Sequence, residues 1–124
     1  MSDISKAEFE VLNALWEGYP ATASDIIARL NNSKDWHEKT IKTLLNRLVK
    51  KQAIDFDKAQ RSYLYFPLID KVDYVAKESS NLVSRLFSGR VAPLVAGFAH
   101  SESLSRQDVD ELKSLIAQWE KDNE

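Results

Sequence analysis

Seven polar residues in a short stretch of this chain have the types and spacing needed to meet a nucleic acid. Lys39, Thr40, Lys42, Thr43, Asn46, Arg47 and Lys50 all fall within residues 36–51. Cations reach phosphate oxygens and guanine, amides pair with adenine, and hydroxyls serve either partner. They are interleaved with Ile41, Leu44, Leu45 and Leu48, at the i, i+3, i+4, i+7 spacing that forms one stripe of a helix. Such a helix buries one side and offers Lys39, Lys42, Thr43, Asn46 and Lys50 on the other, with Arg47 at the margin. Arg47 has a second reading, a buried ion pair holding the domain together. Many exposed helices carry a basic face, so the neighbouring elements decide what this one is for.

After Lys51 the pattern turns from helical to extended. Residues 54–57 and 62–66 are short, aromatic-rich runs joined through Lys58-Ala59-Gln60-Arg61, and Pro67 ends the second run. This predicts a β-hairpin with two cations near its tip, Arg61 favoured over Lys58 as a phosphate contact. Upstream, Ser5 with Glu8 forms a capping box ahead of Phe9, Val11, Leu12, Leu15 and Trp16. Thr22 with Asp25 opens a second helix carrying Ile26, Ile27 and Leu30. Helix, helix, basic amphipathic helix and hairpin is the order of a winged helix-turn-helix, whose third helix enters the major groove beside a wing on the backbone. Lys39, Thr40 and Thr43 are then expected nearest the base edges. Lys42, Asn46, Arg47, Lys50 and Arg61 are expected further along or on phosphates, with Trp36 orienting the helix start by packing.

The residues Ile4-Ser5-Lys6-Ala7-Glu8-Phe9-Glu10-Val11, Leu15-Trp16, Thr22-Ala23, Trp36, Lys39-Thr40-Ile41, Thr43-Leu44-Leu45, Arg47-Leu48-Val49-Lys50-Lys51 and Tyr65-Phe66-Pro67-Leu68-Ile69 closely resemble the BlaI/MecI/CopY family of bacterial repressors. The resemblance continues more thinly through Phe87-Ser88-Gly89, Leu94-Val95 and Leu104-Ser105, and so covers nearly the whole chain. It implies a dimeric winged-helix repressor that binds inverted repeats in promoters. Within that family the copper-responsive members use clustered C-terminal cysteines. This chain has no cysteine, so thiolate copper sensing and any thiol redox switch are excluded. The β-lactam-responsive members are inactivated by cleavage before a phenylalanine, and the best positional match here is Gly97-Phe98 in place of Asn-Phe. That bond is a candidate for a sensor-activated protease. In the other reading, Phe98 is a packing side chain and Gly97 a place of close helix approach. The family also places glycines after the Lys-Lys pair and in the wing turn. Gln52 and the glycine-free Lys58-Ala59-Gln60-Arg61 stand there instead, and a left-handed Gln52 would cost about 1 kcal/mol relative to glycine.

The remaining residues supply a second region. Three helices are expected over residues 70–88, 90–99 and from a cap at Ser105 and Asp108. Their apolar sides carry Val75, Leu82 and Leu86, then Leu94 and Phe98, then Val109, Leu112, Ile116 and Trp119. These faces suit an intertwined homodimer, whose two-fold axis matches a palindromic operator in double-stranded DNA. Folding back onto the N-terminal region is the competing arrangement. The predicted fold class is therefore mostly α with a small β-hairpin wing (α+β): a winged-helix DNA-binding domain at 1–69 and a helical dimerisation region at 70–124.

Charge is partitioned accordingly. The net charge is −2, yet residues 34–61 hold eight Lys/Arg against four Asp/Glu, while residues 69–124 hold seven against ten. Binding is expected to depend on the dimer, since non-specific affinity is modest. No nucleophile–base pair is assembled and no cofactor is implied, so the chain is expected not to be an enzyme. His37 beside Glu38 could be a ligand pair, but at a helix start capping or phosphate contact is the ordinary role, and no metal site is assigned. With no run of ~20 apolar residues and no signal-peptide pattern, a cytoplasmic protein without membrane contact is expected. A rival class remains: winged helices also dock protein partners, and such a module would lack salt-dependent DNA binding.

Overall fold

The computed structural model describes residues 3–32 and 35–124. The chain runs α1 (Lys6–Trp16), α2 (Ala23–Leu30), α3 (Glu38–Lys50), β1 (Ile54–Ala59), β2 (Ser62–Pro67), α4 (Lys71–Phe87), α5 (Val91–His100) and α6 (Arg106–Asp122). It divides into two compact units, Met1–Ala76 and Lys77–Glu124, with the boundary inside α4. Among the described residues no single helix is long and apolar enough to cross a membrane.

Both N-terminal capping boxes form as the spacing implies. Ser5 Oγ accepts from the Glu8 amide at 3.1 Å while Glu8 accepts from the Ser5 amide, and Thr22 with Asp25 repeats the arrangement on α2. The first unit's core consists of the apolar stripes of three helices and the base of the hairpin. Val11, Leu12, Leu15, Ile26, Ile41, Leu45, Leu48, Ala53 and Ile54 are almost wholly buried. Burying each large side chain stabilises the unit by about 1.5–3 kcal/mol before conformational entropy is charged. Trp36 packs against this core just ahead of α3, which begins at Glu38 rather than at Trp36. The reason is local: His37 is extended and caps the helix, its Nδ1 accepting from the Lys39 amide at 3.2 Å.

α3 ends in a left-handed Gln52, φ 62°. The Gln52 amide donates to the Val49 carbonyl and the Ala53 amide to the Leu48 carbonyl, both at 3.0 Å. This is a complete Schellman closure, with Ala53 and Leu48 both buried beside it. The hairpin is tighter than the sequence suggested. β1 extends through Lys58 and Ala59, so Lys58 pairs with Tyr63 in the ladder and the turn is Gln60-Arg61 alone. Gln60, at φ 54°, supplies the positive dihedral that such a short turn demands. A single-residue bridge, not foreseen, adjoins the two-stranded sheet: Ala21 and Tyr65 exchange backbone hydrogen bonds at 3.0 and 2.8 Å.

Aromatic contacts fasten the beginning of α4 to α1. Tyr74 stacks on Phe9 at 5.7 Å and meets Trp16 at 5.9 Å, while Trp16 Nε1 donates to the Ile69 carbonyl at 3.1 Å. In the second unit, α6 starts from a Ser5-like box made by Ser105 and Asp108. Within the single chain, no residue of that unit is buried. Leu86, Ile116 and Trp119 are 56%, 58% and 65% exposed.

Candidate nucleic-acid interface

α3 has one fully buried side and one wet side because its apolar residues recur at helical spacing. Ile41, Leu44, Leu45 and Leu48 face the core, and Lys39, Thr40, Lys42, Thr43, Asn46, Arg47 and Lys50 are all exposed. The core stripe thus fixes the rotation of α3 about its axis and points the polar residues outward together.

Two open hollows flank this face. The larger, about 440 Å³, lies between the start of α2, α3 and the wing, and is lined by Thr22, Ala23, Ser24, Glu38, Lys42, Asn46, Arg61, Ser62, Tyr63 and Tyr65. It brings Arg61 to the same surface as Lys42 and Asn46. The second, about 350 Å³, is lined by His37, Glu38, Lys39, Lys42, Thr43 and Asn46. Thr40 and Arg47 line a further shallow depression with His37, Lys39, Thr43 and Leu44. Lys50 lines none of these three hollows and sits at the C-terminal end of α3. The surface is concave, cationic and polar, which suits a groove edge and its phosphates better than a small apolar ligand.

Individual side chains have defined local roles. Lys42 Nζ pairs with Glu38 Oε1 at 3.0 Å, one turn earlier on the helix. The Thr43 hydroxyl donates to the Lys39 carbonyl at 3.0 Å, so its lone pairs and methyl remain free to meet a partner. Arg47 is exposed, and the buried ion pair at this end of the helix belongs to Lys51 and Glu8. Tyr65 is buried against the sheet, and that desolvation pushes its phenol up. Tyr63, exposed, packs its ring against Phe56 in a tilted contact, centroids 4.6 Å apart. Sequence reasoning missed Ser24, Glu38, Ser62 and Tyr63 as members of this surface. The strand alternation that places Tyr63 on the face of Tyr65 was available in the sequence. The approach of α2 to the wing was not, since it depends on the Ala21–Tyr65 bridge.

Three short helices, a two-stranded wing and an exposed basic face on the third helix define a winged helix-turn-helix protein. Comparison with known proteins makes this specific. The family model described as penicillinase repressor matches residues 4–118. The methicillin resistance regulatory protein MecI of Staphylococcus aureus (strain N315) is 37% identical over 114 residues, covering 92% of this chain and 93% of that protein. The penicillinase repressor of Bacillus licheniformis is 33% identical over 113 residues, covering 91% and 88%. Among solved structures, the Bacillus licheniformis BlaI monomeric form in complex with the blaP half-operator matches with a TM-score of 0.51 at 38% identity, covering 59% of this chain and 89% of that one. The chain belongs to the penicillinase repressor family.

Proposed function

We propose that this chain is a DNA-binding transcriptional repressor that places α3 in the major groove and the wing on the adjacent backbone. The observation that carries the reading is the two-sided α3: four buried aliphatics on one side and seven exposed polar or cationic residues on the other, with Arg61 of the wing on the same surface. The BlaI half-operator complex, a relative at 38% identity, supports it. Lys39, Thr40 and Thr43 are assigned to base edges, and Lys42, Asn46, Arg47, Lys50 and Arg61 to phosphates or bases further along. A protein that blocks a promoter works in the cytoplasm and needs no catalytic group.

The repressor acts as a homodimer on an inverted repeat. This is supported by the uncovered apolar residues of the C-terminal helices: Val75, at the end of the first unit, and Leu82, Leu86, Leu94, Phe98, Val109, Leu112, Ile116 and Trp119 of the second lack full burial in a single chain. Helices with uncovered apolar faces gain stability by meeting a second copy. The domain division we adopt is 1–69 for DNA and 70–124 for dimerisation. Gly97-Phe98 lies inside α5, and the Gly97 carbonyl accepts from the Ser101 amide at 3.1 Å. A protease acting there must first unwind that turn, so Phe98 is assigned to the interface and proteolytic relief is secondary.

The test is fluorescence anisotropy with DNA from upstream of the protein's own gene, beside a scrambled duplex, across several salt concentrations. Tight, steeply salt-dependent binding with two protomers per site is the expected result. Absence of binding even at low salt overturns it in favour of a protein-docking winged helix.

A further inference from the structure

Three residues line both hollows that flank the recognition face: Glu38, Lys42 and Asn46. Among the described residues lining them, Glu38 is the sole carboxylate, and its side chain is 64% exposed. A carboxylate accepts hydrogen bonds and cannot donate them, and phosphates offer it no donor. At an arbitrary DNA site Glu38 therefore repels the backbone, and it also engages Lys42 at 3.0 Å, cancelling the charge of a cation on the same surface. In the major groove, by contrast, the N4 amino group of cytosine is a donor that a carboxylate reads. Glu38 is the first residue of α3, and the N-terminal residues of a recognition helix approach base edges.

We infer that Glu38 is a specificity-determining residue: it weakens binding to arbitrary DNA by opposing phosphates and neutralising Lys42, and in the operator it accepts a hydrogen bond from a base amino group, releasing Lys42. This rests on the DNA-binding reading above. Discrimination here includes a repulsive element as well as attractive ones.

The experiment compares wild type, Glu38→Gln, Lys42→Ala and the double variant by anisotropy. The probes are an operator selected by the wild-type protein from a random duplex pool and a scrambled duplex, at 50 and 200 mM salt. Glu38→Gln should bind the scrambled duplex more tightly with a salt slope steeper by about 0.9, so that its advantage shrinks roughly threefold between the two salts. Its operator-to-scrambled ratio should fall about tenfold. The double variant should return the slope on scrambled DNA to near the wild-type value. An unchanged scrambled affinity and slope in Glu38→Gln overturns the inference. So does a parallel loss on both duplexes accompanied by lower thermal stability, the signature of a residue that only supports the helix. Wild-type protein without salt-dependent binding overturns the DNA reading itself, a result distinguishable from either.

Discussion

Lys51 Nζ lies 2.6 Å from Glu8 Oε1 and also donates to the Asp3 carbonyl at 2.7 Å. The pair ties the end of α3 to the start of α1, with the Glu8 side chain 2% exposed. Burial pushes the Glu8 carboxyl up. The Lys51 hydrogen bond and the Ser5 contacts outweigh it, leaving the carboxyl below its ordinary value. A depressed carboxyl contributes stability that is present above its unfolded-state pKa and is lost as pH falls through the folded one. Lys51→Met should cost about 3 kcal/mol at pH 7, because it strands a buried carboxylate. The gap from wild type should narrow below about pH 4. Urea midpoints at pH 7 and pH 3.5 check this, and a pH-independent gap refutes it.

Gln52 is held at φ 62° by the Schellman closure of α3. Glycine adopts that dihedral without steric penalty, so Gln52→Gly should stabilise the first unit by about 1 kcal/mol. For a unit of this size the expected rise in Tm is about 4–8 °C. Calorimetry showing no rise would mean that the glutamine side chain gains a compensating contact.

Thr43 spends its hydroxyl proton inside the helix. If it reads a base, it does so through its methyl or its lone pairs. Thr43→Ala should therefore reduce discrimination between operator and scrambled DNA by about five- to tenfold. Thr43→Val, which keeps a methyl in place, should retain more of it at a thymine contact. Equal discrimination in wild type and Thr43→Ala removes the base-reading assignment.

Lys42→Ala is expected to flatten the salt slope by about one on the operator and by much less on scrambled DNA, where Glu38 already pairs with the lysine. Equal flattening on both duplexes would mean that the pair with Glu38 does not mask Lys42 on arbitrary DNA.

Ile116→Asp puts a charge in the exposed apolar stripe of α6. Sedimentation should show a dimer in wild type and a monomer in the variant. Circular dichroism should show the helices of the first unit intact, since its core contains no residue of α6. A variant that remains dimeric would place the interface on another face.

The order of elements was readable because each had a strong local cause. Ser5 with Glu8 and Thr22 with Asp25 fixed two helix starts, and the i, i+3, i+4, i+7 spacing of Ile41, Leu44, Leu45 and Leu48 fixed the orientation of α3. What escaped the sequence was non-local or conformational. The hairpin turn shortened to Gln60-Arg61 because a non-glycine residue accepted a left-handed dihedral, which glycine counting overlooks. The contribution of α2 to the interface follows from the Ala21–Tyr65 pairing, 44 positions apart in the chain. Lys51 looked like half of a basic pair with Lys50, and only the folded structure separates an outward cation from one that turns inward to Glu8.

The Ala21–Tyr65 bridge has a mechanical meaning for DNA. It laces the strand of the wing to the segment between α1 and α2 with two backbone hydrogen bonds, which oppose a swing of the hairpin away from the helices. The distance between the wing tip and α3 is then set by protein, like the jaws of a locked calliper. In the proposed complex, a duplex whose groove does not fit that span would itself have to widen or bend. The cost of fitting passes to the base-pair steps, and pliable pyrimidine–purine steps are favoured at positions no side chain touches.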